Sequence, residues 1–344
     1  MDAASGLLYK VGVLTMNRST AVLLVASFLP FLFGCRGTAP PPPKEVVCYT
    51  SVDQPHAAPI LRLFESRTGI RMRAVYDVEA SKTTGLVNRL KAEAGRPMAD
   101  VYWSSEIVQT MWLKKHGVLG KYVSPNAEDI PLSLKDPDGC WAGLGLRGRV
   151  ILVNSERVRE VEMPVSIFDF LDPRWKPEDV GIALPLFGTT FTHATVLYST
   201  LGEENAKDFF QAVRDKGIQV LDGNSTVRDR VSTGMLKMGL TDTDDARSAK
   251  KKGAPVRLIF PDRLETGGLY IPGTVALVRN APHPVEARLL IDFLLSWEVE
   301  VYLMEADYFH ASVRSPPPST PISWAEIAER TPQVREDMRE IFLH

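Results

Sequence analysis

The chain of 344 residues is long enough for two domains of ordinary size, and its 44% hydrophobic and 24% charged residues are typical of a globular protein. A formal net charge of −2, without a basic stripe interleaved with aromatic residues, argues against a nucleic-acid partner. Small molecules or other proteins are the expected partners.

The N-terminal stretch predicts export. Residues 21–33 form an apolar run that is too short for a comfortable membrane span, and the basic Arg18 precedes it, as in a secretory signal. Leu32-Phe33-Gly34-Cys35 resembles a bacterial lipobox, so we expect Cys35 to become the lipidated first residue of the mature chain. The protein would then lie in the periplasm or cell envelope, anchored to the membrane through this cysteine. Met1 and Met16 both stay open as the start of the signal.

Residues 36–44 contain four consecutive prolines and predict a stiff, extended linker between the anchor and the globular body. Cys48 and Cys140 are the two other cysteines of the chain. An oxidising compartment would allow them to pair, but the sequence does not bring their Cα atoms within bonding distance. A disulfide between them therefore stays open.

From residue 45 onward, strand-like and helix-like segments alternate. Strands are predicted at 46–49, 71–76 and 100–103, and helices at 57–67 and 82–93. This order implies a parallel sheet wrapped by helices, on which ligands bind at the carboxyl ends of the strands. The small or polar residues predicted at that edge are Ser51, Asp53, Ser81, Lys82, Thr83, Thr84, Ser105 and Glu106. Each one alone would serve as a helix cap, but their common position predicts a ligand site.

A second α/β unit follows a continuous apolar run at 150–153, which suits a buried strand and marks a crossing between domains. Its predicted helices are 166–171, 189–201, 203–216 and 224–234, and its predicted strands are 181–184, 218–221 and 256–260. The segment 269–278 would carry the chain back to the first unit, which helices at 284–304 and 323–342 complete.

Asp242, Asp244 and Asp245 place three carboxylates within four residues. Acids this close raise one another's pKa unless a cation, a basic side chain or a helix N-terminus relieves them. Two interpretations stay open, an acid-rich start of the following helix and a metal site. Arg147 and Arg149 are expected to brace the crossing strand or these acids. Pairing of either arginine with Asp242 would weaken the metal interpretation.

Several motifs follow one another in a characteristic order. They are Thr68-Gly69-Ile70, Asp136-Pro137-Asp138-Gly139 with Trp141, Leu171-Asp172-Pro173-Arg174-Trp175, Ile271-Pro272-Gly273-Thr274 and Ala281-Pro282-His283-Pro284. In this order the chain resembles the solute-binding proteins of ferric-iron ABC importers, which are type II periplasmic binding proteins, over essentially its whole mature length. The resemblance implies an α/β fold of two lobes, joined by a hinge of two crossing strands, that closes on a ligand and presents it to a permease.

The implied organisation is a signal peptide at 1–35, a Pro-rich linker at 36–44, lobe 1 at 45–148 and 276–344, and lobe 2 at 149–275. The resemblance also implies a monomer whose partners are an ABC permease and its ATPase, with no catalytic cofactor. We expect no enzyme, because the chain has no Gly-x-Ser-x-Gly elbow, no His-Glu-x-x-His pair and no P-loop.

Ferric-binding members of this family hold the metal with two adjacent tyrosines on lobe 2, where this chain has Asp244 and Asp245. Carboxylate oxygens suit Fe³⁺ and equally Ca²⁺, Mg²⁺ or Mn²⁺. We therefore expect ferric iron, or an iron complex, as the transported ligand. The predicted metal ligands are Asp53, Glu106, Asp242, Asp244 and Asp245. A synergistic anion would bind at the helix N-termini near Ser81-Lys82-Thr83 or Asn224-Ser225.

The same fold could instead bind an oxyanion, such as a phosphonate or a phosphorylated small molecule, although the three aspartates would repel a bare anion. The candidate ligand-binding residues are Ser51, Ser81, Lys82, Thr83, Ser105, Arg147, Thr189, Thr190, Asn224 and Ser225, with Arg228 as a further guanidinium. An organic cation such as a polyamine is a third alternative, in which Tyr102 or Trp103 would supply cation–π contact. His193 is a further candidate ligand, although a histidine on a polar helix face more often has no such role.

Overall fold

The computed structural model describes residues 44–77, 84–262, 268–319 and 321–343. The predicted signal peptide, the predicted lipidation site Cys35 and nearly all of the predicted linker lie outside the described residues, as do Ser81, Lys82 and Thr83. In the described ranges, no helix combines the length and the apolar character that a membrane crossing requires.

Helices and strands alternate along the described chain, close to the predicted positions. The strands are β1 (Glu45–Thr50), β2 (Arg71–Tyr76), β3 (Val101–Ser104), β4 (Ala142–Asn154), β5 (Val180–Ala183), β6 (Gln219–Leu221), β7 (Met238–Asp242), β8 (Val256–Ile259) and β9 (Tyr270–Leu277). The helices are α1 (Gln54–Thr68), α2 (Thr84–Ala92), α3 (Val108–Lys115), α4 (Gly188–Thr200), α5 (Glu203–Asp215), α6 (Asn224–Ser232), α7 (Thr243–Lys251), α8 (Pro284–Leu294), α9 (Trp297–Glu305) and α10 (Trp324–Leu343). Short 3₁₀ helices lie at Pro125–Ala127, Leu132–Leu134, Glu160–Glu162, Ile167–Leu171 and Pro177–Asp179.

The strands form one sheet in the order β2-β1-β3-β9-β4-β7-β5-β6, and β8 pairs with β4. β1 is parallel to β2 and β3, and β5 is parallel to β6 and β7. β9 is antiparallel to β3, and β4 is antiparallel to β9, β7 and β8. Two groups of parallel strands are thus joined through β4. This arrangement confirms the two-lobed α/β fold.

The lobes are connected where β4 changes partners. Gly148 pairs with Tyr270 of β9, whereas the next residue, Arg149, pairs with Asp242 of β7. The chain has returned to lobe 1 by β9, because β9 pairs with β3 and β4 and so belongs to the sheet of lobe 1. The boundary predicted at 275/276 falls inside β9, so we place the start of the second part of lobe 1 no later than Tyr270, the first residue of that strand.

The C-terminal helix α10 contacts both lobes, although the prediction placed it in lobe 1. Its buried Asp337 accepts hydrogen bonds from Tyr198 of α4 and from Lys207 of α5, both at 3.0 Å. Glu329 of α10 also forms an exposed ion pair of 2.6 Å with Lys115 of α3, which belongs to lobe 1. Because its buried polar contacts are made with α4 and α5, we assign α10 to lobe 2.

The strand β3 separates two cores. Its four residues are all buried, and its side chains alternate between the faces of the sheet. Val101 and Trp103 pack in the same core as Cys48, whereas Tyr102 packs in another core with Cys140. Both cysteines are free thiols, and their location in separate cores leaves them without a disulfide between them.

Candidate functional site

A cavity of about 420 Å³ lies between the lobes, at the carboxyl ends of the strands. Lobe 1 lines it with Asp53, Gln54, Pro55, His56, Ser105 and Arg147. Lobe 2 lines it with Ala183, Leu184, Phe187, Gly188, Thr189, Thr190, Asp222, Gly223, Asn224, Ser225, Arg228, Asp242, Asp244, Asp245 and Ser248. Its lining is therefore mostly polar, and both lobes contribute to it.

Helices α1, α4, α6 and α7 all begin at this cavity. In each of the four, the side chain of the N-cap residue makes no capping hydrogen bond. The N-terminus of a helix carries partial positive charge and free donors, which favour negative charge nearby. The helix starts therefore stabilise the acids of the cavity and can also hold an anionic part of a ligand.

Asp242 accepts several short hydrogen bonds and is only 1% exposed. Its Oδ1 accepts from Arg149 at 2.8 Å, and its Oδ2 accepts from Thr189 at 2.6 Å and from Asn224 at 3.0 Å. Burial would raise the pKa of Asp242, but Arg149, Arg147 and the hydrogen bonds outweigh burial and hold that pKa below its usual range. Both carboxylate oxygens are engaged, so Asp242 serves here as a buried counter-ion.

Arg149 is the partner that positions this network, and its side chain is fully buried. Besides Asp242, its guanidinium donates to Thr189 and Thr190, both at 3.2 Å, and to Asn224 at 3.3 Å. These bonds fix the first residues of α4 and α6 against β4. Thr189, Thr190 and Asn224, which were predicted to bind ligand, therefore also support the floor of the cavity.

Asp244 and Asp245 lie in the first turn of α7 and are partly buried. Asp244 is 3.4 Å from Arg147, and Asp245 accepts from Arg228 at 2.9 Å and from Thr241 at 3.1 Å. One carboxylate oxygen from each of Asp242, Asp244 and Asp245 lies within 4.8 Å of the others. This spacing is compatible with a metal ion, and both α7 acids line the cavity together with their basic partners Arg147 and Arg228.

Arg147 joins the two lobes inside the cavity. It donates to the Ser105 carbonyl of lobe 1 at 2.8 Å and to Asp242 of lobe 2 at 3.3 Å. Its guanidinium lies 5.4 Å from the ring of Tyr308, whose centroid is 4.8 Å from that of His56. Burial opposes the charge on Arg147, but Tyr308, Asp244 and Asp242 raise its pKa well above the ordinary value. Arg147 is therefore a permanent positive charge in the cavity.

Glu106 does not reach the cavity, contrary to the predicted role as a metal ligand. Its carboxylate accepts from the backbone N–H groups of Val108 and Gln109 at 2.6 and 3.1 Å, at the start of α3. It also accepts from Thr192 of α4 at 2.8 Å. Burial raises its pKa above the usual value. Glu106 therefore caps a helix and connects the lobes.

Other predicted residues also lie away from the cavity lining. Ser51 is buried and hydrogen-bonds to Ser105, so it supports a lining residue. His193 borders a separate apolar pocket, and burial, followed by the charge of Arg149, lowers its pKa from 6.5 to about 3. Tyr102 and Trp103 are fully buried outside the lining, so they do not offer the cation–π contact expected for a polyamine.

Four titratable residues of the site were not predicted to bind ligand. These are His56, Asp222, Arg149 and Tyr308. His56 and Asp222 follow the ends of β1 and β6, so the rule that ligands bind at strand ends would have found them. The positions of Arg149 and Tyr308 depend on tertiary contacts, and no local pattern marks them.

The cavity has more acidic than basic groups. Its lining carboxylates are those of Asp53, Asp222, Asp242, Asp244 and Asp245, against the guanidinium groups of Arg147 and Arg228 in the lining and of Arg149 beside Asp242. With all of these groups ionised, five acids and three arginines leave a surplus of two negative charges. The arginines neutralise part of the acid cluster, and the remainder favours a cation.

A polar cavity enclosed by two α/β lobes defines the class of solute-binding proteins. Comparison with known proteins agrees with this class, because residues 97–329 match the family model of the bacterial extracellular solute-binding proteins. The match covers more than half of the chain, so the protein belongs to this family.

Three individual relatives share between 19% and 25% sequence identity with this chain. The chain is 25% identical over 259 residues to "Iron uptake protein A1" of Synechocystis sp., which covers 71% of this chain and 69% of that protein. Iron-bound HitA of Pseudomonas aeruginosa has a TM-score of 0.76 at 21% identity, over 86% of this chain and 99% of that one. AfuA of Actinobacillus pleuropneumoniae, solved with fructose-6-phosphate bound, has a TM-score of 0.75 at 19% identity, over 86% and 98%. Both structures share the periplasmic-binding-protein fold of this chain.

Proposed function

We propose that the protein is the extracytoplasmic solute-binding component of an ABC importer, and that it captures ferric iron or an iron complex between its lobes. The observation that carries the proposal is the meeting of carboxylates from both lobes in one cavity, Asp53 from lobe 1 with Asp244 and Asp245 from lobe 2. Carboxylates are hard oxygen donors, which suit a hard cation. The name of the relative in Synechocystis, an iron uptake protein, supports the same ligand.

In this proposal the acids have different roles. Asp244 and Asp245 bind the metal from lobe 2, and Asp53 and His56 complete the ligand shell from lobe 1. Asp242 makes no bond to the metal, because it is only 1% exposed and compensates the fully buried charge of Arg149. Asp244 and Asp245 are more exposed, and they exchange hydrogen bonds with their present partners for the metal. Each lobe supplies part of the shell, so the closed form gains contacts that the open form lacks, and the ligand favours closure by that difference.

The size of the cavity favours a complex over a bare ion. About 420 Å³ is far more than one metal ion needs and lies within the range of pockets for small molecules. The starts of α4 and α6, at Gly188 and Asn224, line the cavity and would favour an accompanying anion through the partial positive charge of a helix N-terminus. The permanently charged Arg147 would contact the same anion.

The remaining parts of the proposal concern location and partners. A lipidated Cys35 would hold the protein at the membrane, in the periplasm or cell envelope, and the linker would let the lobes reach the importer. The closed monomer would dock on a permease that works with its ATPase. No catalytic step is part of this function.

An oxyanion, such as a phosphorylated small molecule, is a second candidate ligand. The observation that favours it is the presence of Arg147 and Arg228 in the lining, together with the uncapped starts of four helices. The likeness in fold to a protein solved with fructose-6-phosphate bound supports the same candidate. The surplus of carboxylates argues against it.

Metal analysis and calorimetry distinguish the two candidates. The chain from residue 36 onward, which lacks the predicted lipidation site, is purified without chelator and examined by native mass spectrometry with elemental analysis. We then measure the binding of ferric citrate, citrate alone and fructose-6-phosphate to the metal-free protein. Stoichiometric iron and binding of ferric citrate but not citrate alone would support the iron proposal. A metal-free protein that binds only fructose-6-phosphate would overturn it in favour of the second candidate.

A double variant locates the metal site. Asp244→Ala with Asp245→Ala is expected to lower the affinity for ferric citrate by at least about 100-fold, because two oxygen ligands are lost. The matched control is Glu204→Ala with Asp208→Ala, which removes the same charge from exposed positions of α5. Equal affinities of the two variants would place the metal elsewhere.

A further inference from the structure

A second groove of about 510 Å³ lies outside the ligand cavity, between α7, β8 and the segment that follows α9. Its polar lining residues are Arg247, Lys250, Arg257 and His310, and no carboxylate is among the described residues that line it. Ala246, Val256 and Leu258 supply its apolar surface. We call it the basic groove.

Hydrogen bonds fix the state of the histidine in this groove. Arg247 donates from Nη1 to the carbonyl of Phe309 at 3.1 Å, and its Nη2 lies 2.9 Å from Nδ1 of His310. A guanidinium can only donate, so Nδ1 of His310 accepts and the ring carries its proton on Nε2. Each polar side chain of the basic groove therefore presents N–H donors.

The acids closest to the basic groove do not neutralise it. Asp307 lies 3.5 Å from Arg247 and 2.5 Å from Lys251, and Glu160 lies 2.9 Å from Arg257. The Arg257–Glu160 pair is exposed at both ends, 52% and 77%, so it is weak and an anion can replace the glutamate. In the part of the chain that the structure describes, four cationic side chains, counting Lys251, stand against these two acids. The groove is positive although the chain as a whole is not.

The basic groove is also built from both lobes. Arg247 and Lys250 belong to α7 of lobe 2, and His310 belongs to lobe 1, where its N–H donates to the Leu146 carbonyl at 2.7 Å. The arrangement of the lobes thus sets the distance between its donors. A ligand held there would favour the arrangement in which both sides meet.

We infer that the basic groove is a second binding site, which takes a small polyvalent oxyanion such as a phosphate group. Guanidinium and ammonium donors form charge-assisted hydrogen bonds with phosphate oxygens, and arginine does so in bidentate geometry. The apolar strip of Val256 and Leu258 gives space for an organic part of the ligand. The inference does not depend on which ligand the cavity between the lobes binds.

Calorimetric titration with inorganic pyrophosphate tests the inference on the mature, metal-free protein at an ionic strength of about 20 mM, where exposed charges are weakly screened. The diagnostic variant is Lys250→Glu, which reverses an exposed charge in the lining. Its matched control is Lys252→Glu, two residues away and outside the lining. Both variants change the net charge equally, so only a local site separates them.

We expect saturable binding that Lys250→Glu weakens by at least about tenfold and that Lys252→Glu weakens by less than about twofold. Arg257→Glu, a second exposed position of the lining, should act like Lys250→Glu. Equal losses in both lysine variants would show general attraction between charges and overturn the inference. Unchanged binding in Lys250→Glu would place the anion in the cavity between the lobes and overturn it as well, as would the absence of saturable binding.

Discussion

Arg149 of β4 and Asp242 of β7 face each other across antiparallel strands and form an ion pair of 2.8 Å in which neither side chain is more than 1% exposed. Water is excluded from this pair, so each charge depends on the other for its stabilisation. Removing one partner leaves an uncompensated buried charge. The pair therefore distinguishes the fully buried acid of the cluster from Asp244 and Asp245, which are only partly buried in the cavity lining.

Asp242→Asn is expected to lower the free energy of unfolding by about 3–5 kcal/mol, because Arg149 and Arg147 lose their shared buried counter-charge. Asp245→Asn is the matched control, since Asp245 pairs with Arg228 where the two side chains are 13% and 17% exposed. We expect about 1 kcal/mol for that change. Urea unfolding followed by circular dichroism measures both values. A cost for Asp242→Asn no larger than for the control would contradict its structural role.

His193 gives the stability of the protein a pH dependence. Burial, followed by the charge of Arg149, lowers its pKa from 6.5 to about 3, so the unfolded chain binds a proton in this range that the folded chain does not. The stabilisation from neutral His193 is complete above about pH 6.5 and is lost as the pH falls toward 3, by roughly 3–5 kcal/mol in all.

His193→Leu should remove this part of the pH dependence. We expect its free energy of unfolding to fall less steeply than that of the wild type when urea unfolding is repeated between about pH 7 and pH 4. His116→Leu, at an exposed position, is the control and should keep the wild-type slope. If all three proteins share one slope, His193 is not neutral in the folded state.

The hydrogen bond from Thr192 to Glu106 joins the lobes at a buried position, at 2.8 Å. Thr192→Val is expected to cost about 2 kcal/mol, because a buried carboxylate loses a donor. The control is Thr195→Val on the same helix, whose hydroxyl bonds only to the Phe191 carbonyl one turn back. That change should cost less than about 1 kcal/mol. Thermal unfolding of the two variants compares them directly, and equal losses would argue against the connection between the lobes.

Gly145 interrupts the pairing of β4 with β9, at a φ of 65°. A Cβ atom there would lie 2.0 Å from the ring of the buried Phe309, so Gly145→Ala should cost at least about 3 kcal/mol. Gly69 has a similar φ of 67° at the end of α1, but a Cβ there would meet no atom within 4 Å. Gly69→Ala should therefore cost only about 1–2 kcal/mol, the conformational part. Similar melting temperatures for the two variants would exclude the steric explanation.

Local patterns of the sequence predicted much of the fold. The strand β2 was predicted at its observed bounds, and the helices α4 and α5 within one residue, because apolar periodicity and turn residues are local signals. The long strand β4 was predicted only from residue 150, although it begins at Ala142. Its first half is rich in glycine, and the low strand propensity of glycine led to the prediction of a loop there. These glycines are needed because Leu134, Phe309 and Phe260 approach the backbone too closely for a Cβ.

By itself the sequence determined that two α/β units place acids, hydroxyls and helix starts at one edge of a sheet, since strand order and helix position follow from local pattern. Tertiary structure alone decided which of those acids are neutralised. Asp242 pairs with Arg149, which lies 93 residues away in the sequence. Glu106 connects the lobes because it accepts a hydrogen bond from Thr192, 86 residues away. Burial and charge pairing are properties of two groups brought together by the fold, so the residue type at one position does not reveal them.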